Sequence, residues 1–219
     1  MKADKTRSFN MDCIEFMQSV PDKFYDLAIV DPPYGINADN KNNGENSKNH
    51  LKNSKAKINK YKVGWDNEIP NQNYFTQLQR ISKKQIIWGG NYFGLSGGFL
   101  FWNKNVTMPT YSQGELAWIS WSNKIDYIEF TWHGMVQNDM KNKENRIHPT
   151  QKPVKLYEWL LMNYAKEGDK ILDTHGGSQS SRIACFNLGF ELDIIELDKD
   201  YFDAGNKRFD QHKKQLTLF

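Results

Sequence analysis

Cysteine is scarce: the 219-residue chain has only Cys13 and Cys185. Two thiols so far apart build neither a zinc site nor a disulfide framework, so a reduced cytoplasmic setting is expected and no metal is assigned. Long apolar runs are missing too, and none nears the ~20 residues that a membrane helix needs. The opening MKADKTRSFNMD lacks the apolar stretch of a secretory signal. Neither sign of charge dominates. Lys and Arg number 29 against 26 Asp and Glu, and a net +3 says little about nucleic acid by itself. There is no Walker lysine and no G-x-G-x-x-G, so ATP and dinucleotide binding lose ground. No internal repeat is visible. What the chain does have is aromatic mass, with 13 Phe and 7 Trp, in a length that suits one domain with a real core.

The run FYDLAIV at 24–30 is apolar and β-branched, and it ends at Asp31-Pro32-Pro33-Tyr34. Two prolines stop a strand and fix a rigid turn, so this reads as a buried strand delivering an acid to a sheet edge. Residues 36–64 lose all apolar periodicity and gather lysines, which predicts a mobile basic loop able to close on phosphates. Helical spacing returns at 73–83, a strand at 85–88, and short alternating strands through 99–133. A polar loop is expected at 135–146. A helix follows at 153–165, with Pro153 in its first turn. The order strand 170–172, glycine turn, helix 179–188, strand 190–197, helix 200–213 is the βαβ pattern of a parallel, helix-covered sheet. The fold class is therefore α/β in a single domain.

The turn after strand 170–172 reads DTHGGSQSS from Asp173. Gly176 and Gly177 let backbone approach a ligand, and a helix N-terminus offers free N–H groups. Glu196 lies 23 residues after Asp173, at a strand tip suited to ribose hydroxyls, with Asp198 the weaker candidate. Taken alone this is a generic nucleoside pocket. The same glycines also serve as turn formers, and Glu196 as a neighbour of a helix cap.

Residues Asp31, Pro32, Pro33 and Tyr34 carry more. DPPY at a strand end resembles motif IV of the amino-group DNA methyltransferases, and the resemblance spans nearly the whole chain. NMDC at 10–13, with Asp12 and Cys13, is similar to the segment lining the cofactor's adenine. WGGNYF at 88–93 also matches. HPTQKP at 148–153, with Lys152, resembles the element that helps hold the methionine end. DTHGGSQSS resembles the motif I loop through Asp173, His175, Gly176, Gly177 and Ser178, and IIELDKDYF the strand ending in the ribose-binding acid Glu196. The motif I loop departs from the common DPFxGSGT pattern at Thr174, His175 and Gln179. His175 either touches the cofactor or only fills the turn.

The resemblance implies a Rossmann-like class I fold: a mostly parallel twisted sheet with helices on both faces. It also implies the circularly permuted β-type motif order, S-adenosylmethionine as cofactor, and double-stranded DNA as partner. In this family DPPY leans towards N6 of adenine and SPPY towards N4 of cytosine. The expected chemistry is acceptance of the amino hydrogens by the Asp31 carboxylate and Pro32 carbonyl, with a flipped base stacked on Tyr34. Residues 100–147 are the expected target-recognition insertion, with Lys104, Asn105, Asn123, Lys124, Asn138 and Arg146 as contacts. Trp102, Trp118, Trp121 and Trp132 read as strand core. The last five residues, Gln215, Leu216, Thr217, Leu218 and Phe219, resemble peptides that dock on the bacterial sliding clamp. A homodimer, a bacterial nucleoid setting and a phage origin fit the same resemblance. Methylation of cytosine N4, methylation of RNA adenine, and an inactive DNA or clamp adaptor stand as alternatives.

Overall fold

A computed structural model describes residues 3–38, 64–108, 112–133 and 136–216. Most of the expected basic loop, and residues 217–219 of the expected clamp-binding tail, lie outside that set. Eight strands form one sheet: β1 (Thr6–Asn10), β2 (Tyr25–Val30), β3 (Ser82–Trp88), β4 (Gly98–Asn103), β5 (Gly114–Ile119), β6 (Ile125–Glu129), β7 (Lys170–Asp173) and β8 (Glu191–Glu196). Their spatial order is β1-β8-β7-β2-β3-β5-β4-β6. Only the β3–β5 and β4–β5 pairings are antiparallel. The sheet is thus mostly parallel, as the βαβ reading expected.

Five α-helices accompany it among the described residues: α1 (Cys13–Gln18), α2 (Gln72–Ile81), α3 (Val154–Tyr164), α4 (Ser180–Leu188) and α5 (Lys199–Leu216). Alternation along the central strands sorts side chains between two cores. Leu27 and Ile29 of β2, Ile86 and Trp88 of β3, and Ile171 of β7 face a cluster with α3, α4 and Phe209 of α5. Ala28 and Val30, Ile87 and Leu172 face the opposite cluster with α1 and α2. Strands buried on both faces need near-continuous apolar runs, which is why YDLAIV shows no polar alternation.

Several boundaries and roles differ from the sequence reading. The first strand and α1 had no pattern to announce them; β1 is held by parallel pairing to β8, from Thr6 opposite Leu192 to Asn10 opposite Glu196. Pro153 is the extended residue just ahead of α3 rather than part of its first turn. Residues 98–129 are no appendage. Leu100, Trp102, Ala117, Ile119 and Ile128 belong to the main core, so the strands of the expected recognition region extend the central sheet. Trp102 and Trp132 are buried, and their indoles donate to the carbonyls of Phe130 and Gln151. Trp118 and Trp121 pack against the two cores, which agrees with a core role for all four.

The connections create a crevice. From β2 the chain crosses through α2 to β3 on one side, while from β7 it crosses through α4 to β8 on the other. Strand order therefore reverses between the neighbours β7 and β2. Ligands of open α/β sheets bind outside the carboxyl ends of the strands at such a reversal.

One buried contact locks these strands together. Asp193 of β8 accepts two bonds from the Arg7 guanidinium of β1, both 2.7 Å, and one from the Tyr25 hydroxyl of β2 at 2.6 Å. Replacing Tyr25 by Phe removes a donor from a buried carboxylate. The expected outcome is a loss of about 1–2 kcal/mol in urea unfolding; an unchanged midpoint would show that the bond contributes nothing.

Candidate active site

Two cavities meet at the carboxyl ends of the strands. The larger, about 800 Å³, is walled by the ends of β1, β7 and β8. The smaller, about 450 Å³, lies over β2, β3 and β5. Asp31, Pro33, Trp65, Thr150 and Lys152 line both. The acidic diproline corner is thus the partition between two chambers.

Asp12, Cys13, His175, Gly176, Gly177, Ser178, Glu196 and Lys152 all line the larger cavity. Asp12 also caps α1, accepting from the Ile14 and Glu15 amides at 2.7 and 3.1 Å. Glu196 accepts from the Gly177 amide at 2.6 Å, which fastens the glycine turn to the tip of β8, and from the Asp198 amide at 2.8 Å. Asp198 caps α5 through the Asp200 and Tyr201 amides. Asp173 stands apart. Its carboxylate is turned beneath the turn, accepting from the Ser181 hydroxyl at 2.6 Å and the His175 amide at 3.0 Å, and burial pushes its pKa up to about 7. It shapes the loop from behind the wall.

The departures in this loop have local reasons. Gln179 is left-handed at φ 57°, a conformation that explains why the related pattern has glycine there. Its side chain accepts from Arg182 Nη1 at 3.0 Å. His175 is half-buried, its ring in an edge-type contact with Tyr74 and Thr174 Oγ1 3.0 Å from Nδ1. Burial lowers its pKa to about 4, so it is neutral at pH 7. His148 forms the opposite wall between Trp65 and Tyr201; burial, then Lys152 and Arg146, lower its pKa to about 3.

Pro32 and Tyr34 line the smaller cavity together with Asp31 and Pro33. Asp31 Oδ1 accepts from the Tyr34 hydroxyl at 2.6 Å, and Lys152 Nζ lies 2.6 Å from Oδ2. Lys152 also reaches Glu115 Oε2 at 3.0 Å and Tyr34 Oη at 3.1 Å. Lys104 donates to the other oxygen of Glu115. Lys104, expected to meet DNA, is therefore engaged inside, while half-buried Arg146 donates to the Pro149 carbonyl. Asn105, Asn123, Lys124 and Asn138 are exposed. Tyr34 does not offer a bare face. Its ring stacks on half-exposed Tyr92 at 5.0 Å and 16°, so the aromatic surface at the cavity is a pair.

Sequence reasoning missed Glu115 and Asp66. Asp66, almost fully buried, accepts from the Tyr34 and Gly35 amides at 2.6 and 2.9 Å and from the Ala38 amide at 2.8 Å. It fixes the corner's exit path. A lone acid in a strand or after a loop leaves no spacing signal. The described part of the polar loop expected at 135–146 is likewise tied down. Glu144 bonds the Val154 amide at the start of α3 at 3.0 Å and Arg208 Nη2 at 2.6 Å.

A sequence profile of the family described as DNA methylase, of the N6 and N4 type, matches residues 41–207. The chain belongs to that family. Its methyl donor is S-adenosylmethionine. Over 251 aligned residues the chain is 24% identical to the type II methyltransferase M2.MboI of Moraxella bovis, covering 93% of this chain and 88% of that one. A 36% match to the type II methyltransferase M.HpaI of Haemophilus parainfluenzae spans 69 residues, 32% of this chain and 22% of the relative. Among solved structures, the M1.HpyAVI complex with the cofactor superposes at TM-score 0.57, with 20% identity over 93% of this chain and 99% of that one. The cytosine-N4-specific PvuII DNA methyltransferase superposes at 0.59, with 11% identity over 97% and 92%. These likenesses establish the fold. No helix among the described residues is long and apolar enough to cross a membrane.

Gly89 tests how tightly the corner is held. Its φ is +71°, and a Cβ there would lie 2.3 Å from the Tyr34 ring. In Gly89→Ala, Tyr34 must move off Asp31. Methyl transfer is expected to fall roughly 10²-fold, as displacements near 1 Å do, with cofactor affinity measured by calorimetry retained. Wild-type turnover would show that the Tyr34 position is immaterial.

Proposed function

We propose that this chain transfers a methyl group from S-adenosylmethionine to N6 of a flipped adenine in double-stranded DNA. The observation that carries the reading is Asp31 with its diproline corner on the shared wall of two cavities. The larger cavity suits the donor. It brings a carboxylate, Glu196, and a side-chain-free turn, Gly176–Gly177, together with apolar Met11, Ile14 and Leu197. The smaller suits a base, with Tyr34, Tyr92 and Phe101 on its walls.

When bound, S-adenosylmethionine supplies an activated sulfonium methyl, so no enzyme nucleophile is required. The chain's own task is to make a poor nucleophile attack. An exocyclic amino lone pair is delocalised into the ring. An ionised carboxylate accepts hydrogen bonds without donating any, and its two oxygens offer about four lone-pair sites. Asp31 therefore keeps capacity for an amino hydrogen even while Tyr34 and Lys152 are bonded to it. The Pro32 carbonyl takes the second hydrogen, its direction fixed by the proline rings. Holding both hydrogens leaves the nitrogen lone pair facing the partition, toward the methyl. As the donor's S–C bond breaks and the N–C bond forms, the nitrogen would become cationic, and Asp31 would stabilise that charge and take the proton it sheds.

The acid at position 31 supports adenine over cytosine. Flipping is required because the amino group is stacked within a duplex, and stacking on an aromatic face contributes ~1–3 kcal/mol per base. The exposed residues Asn105, Asn123, Lys124 and Asn138 are the proposed target contacts, and the tail from Gln215 to Phe219 the proposed clamp peptide. Loss of capture by purified clamp on deleting 215–219 is expected; unaltered capture rejects that part alone.

Incubation with labelled donor and defined DNA or RNA, followed by nucleoside analysis, is expected to yield N6-methyladenine from DNA. N4-methylcytosine, or methylation of RNA alone, overturns the base assignment. Asp31→Asn and Asp31→Ala are expected to lower the transfer rate about 10²–10³-fold, the cost of losing one preorganised group, with donor affinity retained. Near-wild-type turnover in either removes the mechanism.

A further inference from the structure

Lys152 has an unusual setting for a residue expected to hold the cofactor. Only 4% of its side chain is exposed, and its ammonium sits over the rings of Trp88 and Tyr34 at 5.1 and 5.6 Å. A buried cation persists only when anions compensate its lost hydration. Two do, Asp31 at 2.6 Å and Glu115 at 3.0 Å. One cation for two acids would leave a buried negative charge. Lys104 on the far oxygen of Glu115 completes a row of two acids and two ammonium groups, drawn from β5, the segment after β4, the diproline corner and the segment before α3.

We propose that Lys152, braced from behind by Glu115, is a positioning residue that holds the Asp31 carboxylate as an anion aimed into the base cavity. This rests on the reading of Asp31 as acceptor for the amino hydrogen.

The groups around Asp31 make its charge precarious. Burial pushes its pKa up, Lys152 opposes that, and Glu115 adds to it. From the other elements, Tyr34, Tyr157 of α3, Tyr74 of α2 and Asp173 at the end of β7 all sense the Asp31 charge. Lys152 is the one cation bonded to Asp31 among the described residues. Burial acts against the Glu115 carboxylate too, yet Lys104 and Lys152 hold its pKa down to about 2, so it stays ionised behind Lys152. Without Lys152, Asp31 would face an ionised Glu115 in a site only partly open to water. Like charges so placed raise one of the two pKa values strongly. A protonated Asp31 donates where it must accept, and the amino nitrogen loses its partner.

The sign follows. Activity needs ionised Asp31, so the rate falls as pH drops through its pKa, and anything that raises that pKa moves the acid limb to higher pH. Single-turnover methyl transfer, measured from about pH 5.5 to 9.5 with calorimetric donor affinity alongside, reads this directly. In Lys152→Met the acid limb is expected to move up by ~1–3 units, with the rate recovering at the alkaline end. Adding Glu115→Gln to that variant removes the like charge and brings the limb part-way back. Lys152→Arg keeps the cation and stays near the wild-type limb. Where Lys152→Met does not fold, Lys152→Gln removes the same cation with a polar side chain, and the same upward move of the limb is expected.

Three results overturn the inference: Lys152→Met slow by the same factor at every pH; a limb indifferent to Glu115→Gln; or lost donor affinity with an unmoved limb, which would return Lys152 to the cofactor. Asp31→Asn separates the two levels. If it transfers methyl normally, the reading of Asp31 fails and this inference with it. If it is inactive while the limbs stand still, only this inference fails.

Discussion

A partly buried carboxylate between two chambers is the constraint from which the rest of this site follows. As the proposed acceptor of an amino hydrogen Asp31 must be ionised, yet only 18% of its side chain is exposed to solvate the charge. The protein compensates with a buried ammonium at 2.6 Å, a tyrosine hydroxyl at 2.6 Å, and a second acid–base pair behind. Each addition has structural requirements of its own. The ammonium needs aromatic walls, the tyrosine needs a glycine at position 89 beneath its ring, and the second pair needs β5 beside β3. The strands after β3 thus do more than extend a sheet: they bring Glu115 to the back of the site.

The larger chamber is organised by backbone amides rather than by charge pairs. Glu196 fastens the Gly177 amide, Asp173 the His175 amide, and Asp12 the first turn of α1. Acids that collect amides hold loops in place at the strand ends, where a ligand must be met by main chain at close range. The two histidines of this region, His148 and His175, are kept neutral by burial. The chamber therefore presents its carboxylates without competing imidazolium charge, which suits a cationic donor.

Much of the architecture was legible because the strand and helix periods are strong. A continuous apolar run ending in two prolines could be little else than a central strand and its turn, and YDLAIV is that strand. The βαβ order from 170 onward fixed the second half. The N-terminal strand was hidden because TRSFN has no apolar pattern; pairing with β8 makes it a strand. The stretch 99–133 read as strands, and 100–147 as an insertion, because nothing along the chain tells whether strands join the main sheet or leave it. Its core residues Leu100, Trp102 and Ile128 decided that through packing.

The sequence by itself determined the chemistry on offer: an acidic diproline corner, a glycine turn, and an acid one strand further on. These are short-range patterns, set by turns and strand ends that local residues dictate. Only the tertiary structure decided who serves whom. It placed Lys152 on Asp31 as well as on the larger chamber, turned Asp173 behind the wall, and stacked Tyr92 on the Tyr34 ring. It also recruited Glu115 and Asp66, 84 and 35 residues from Asp31. The reason is physical: a buried charge is compensated by whatever the packed sheet brings within about 3 Å, and separation along the chain carries no record of that distance.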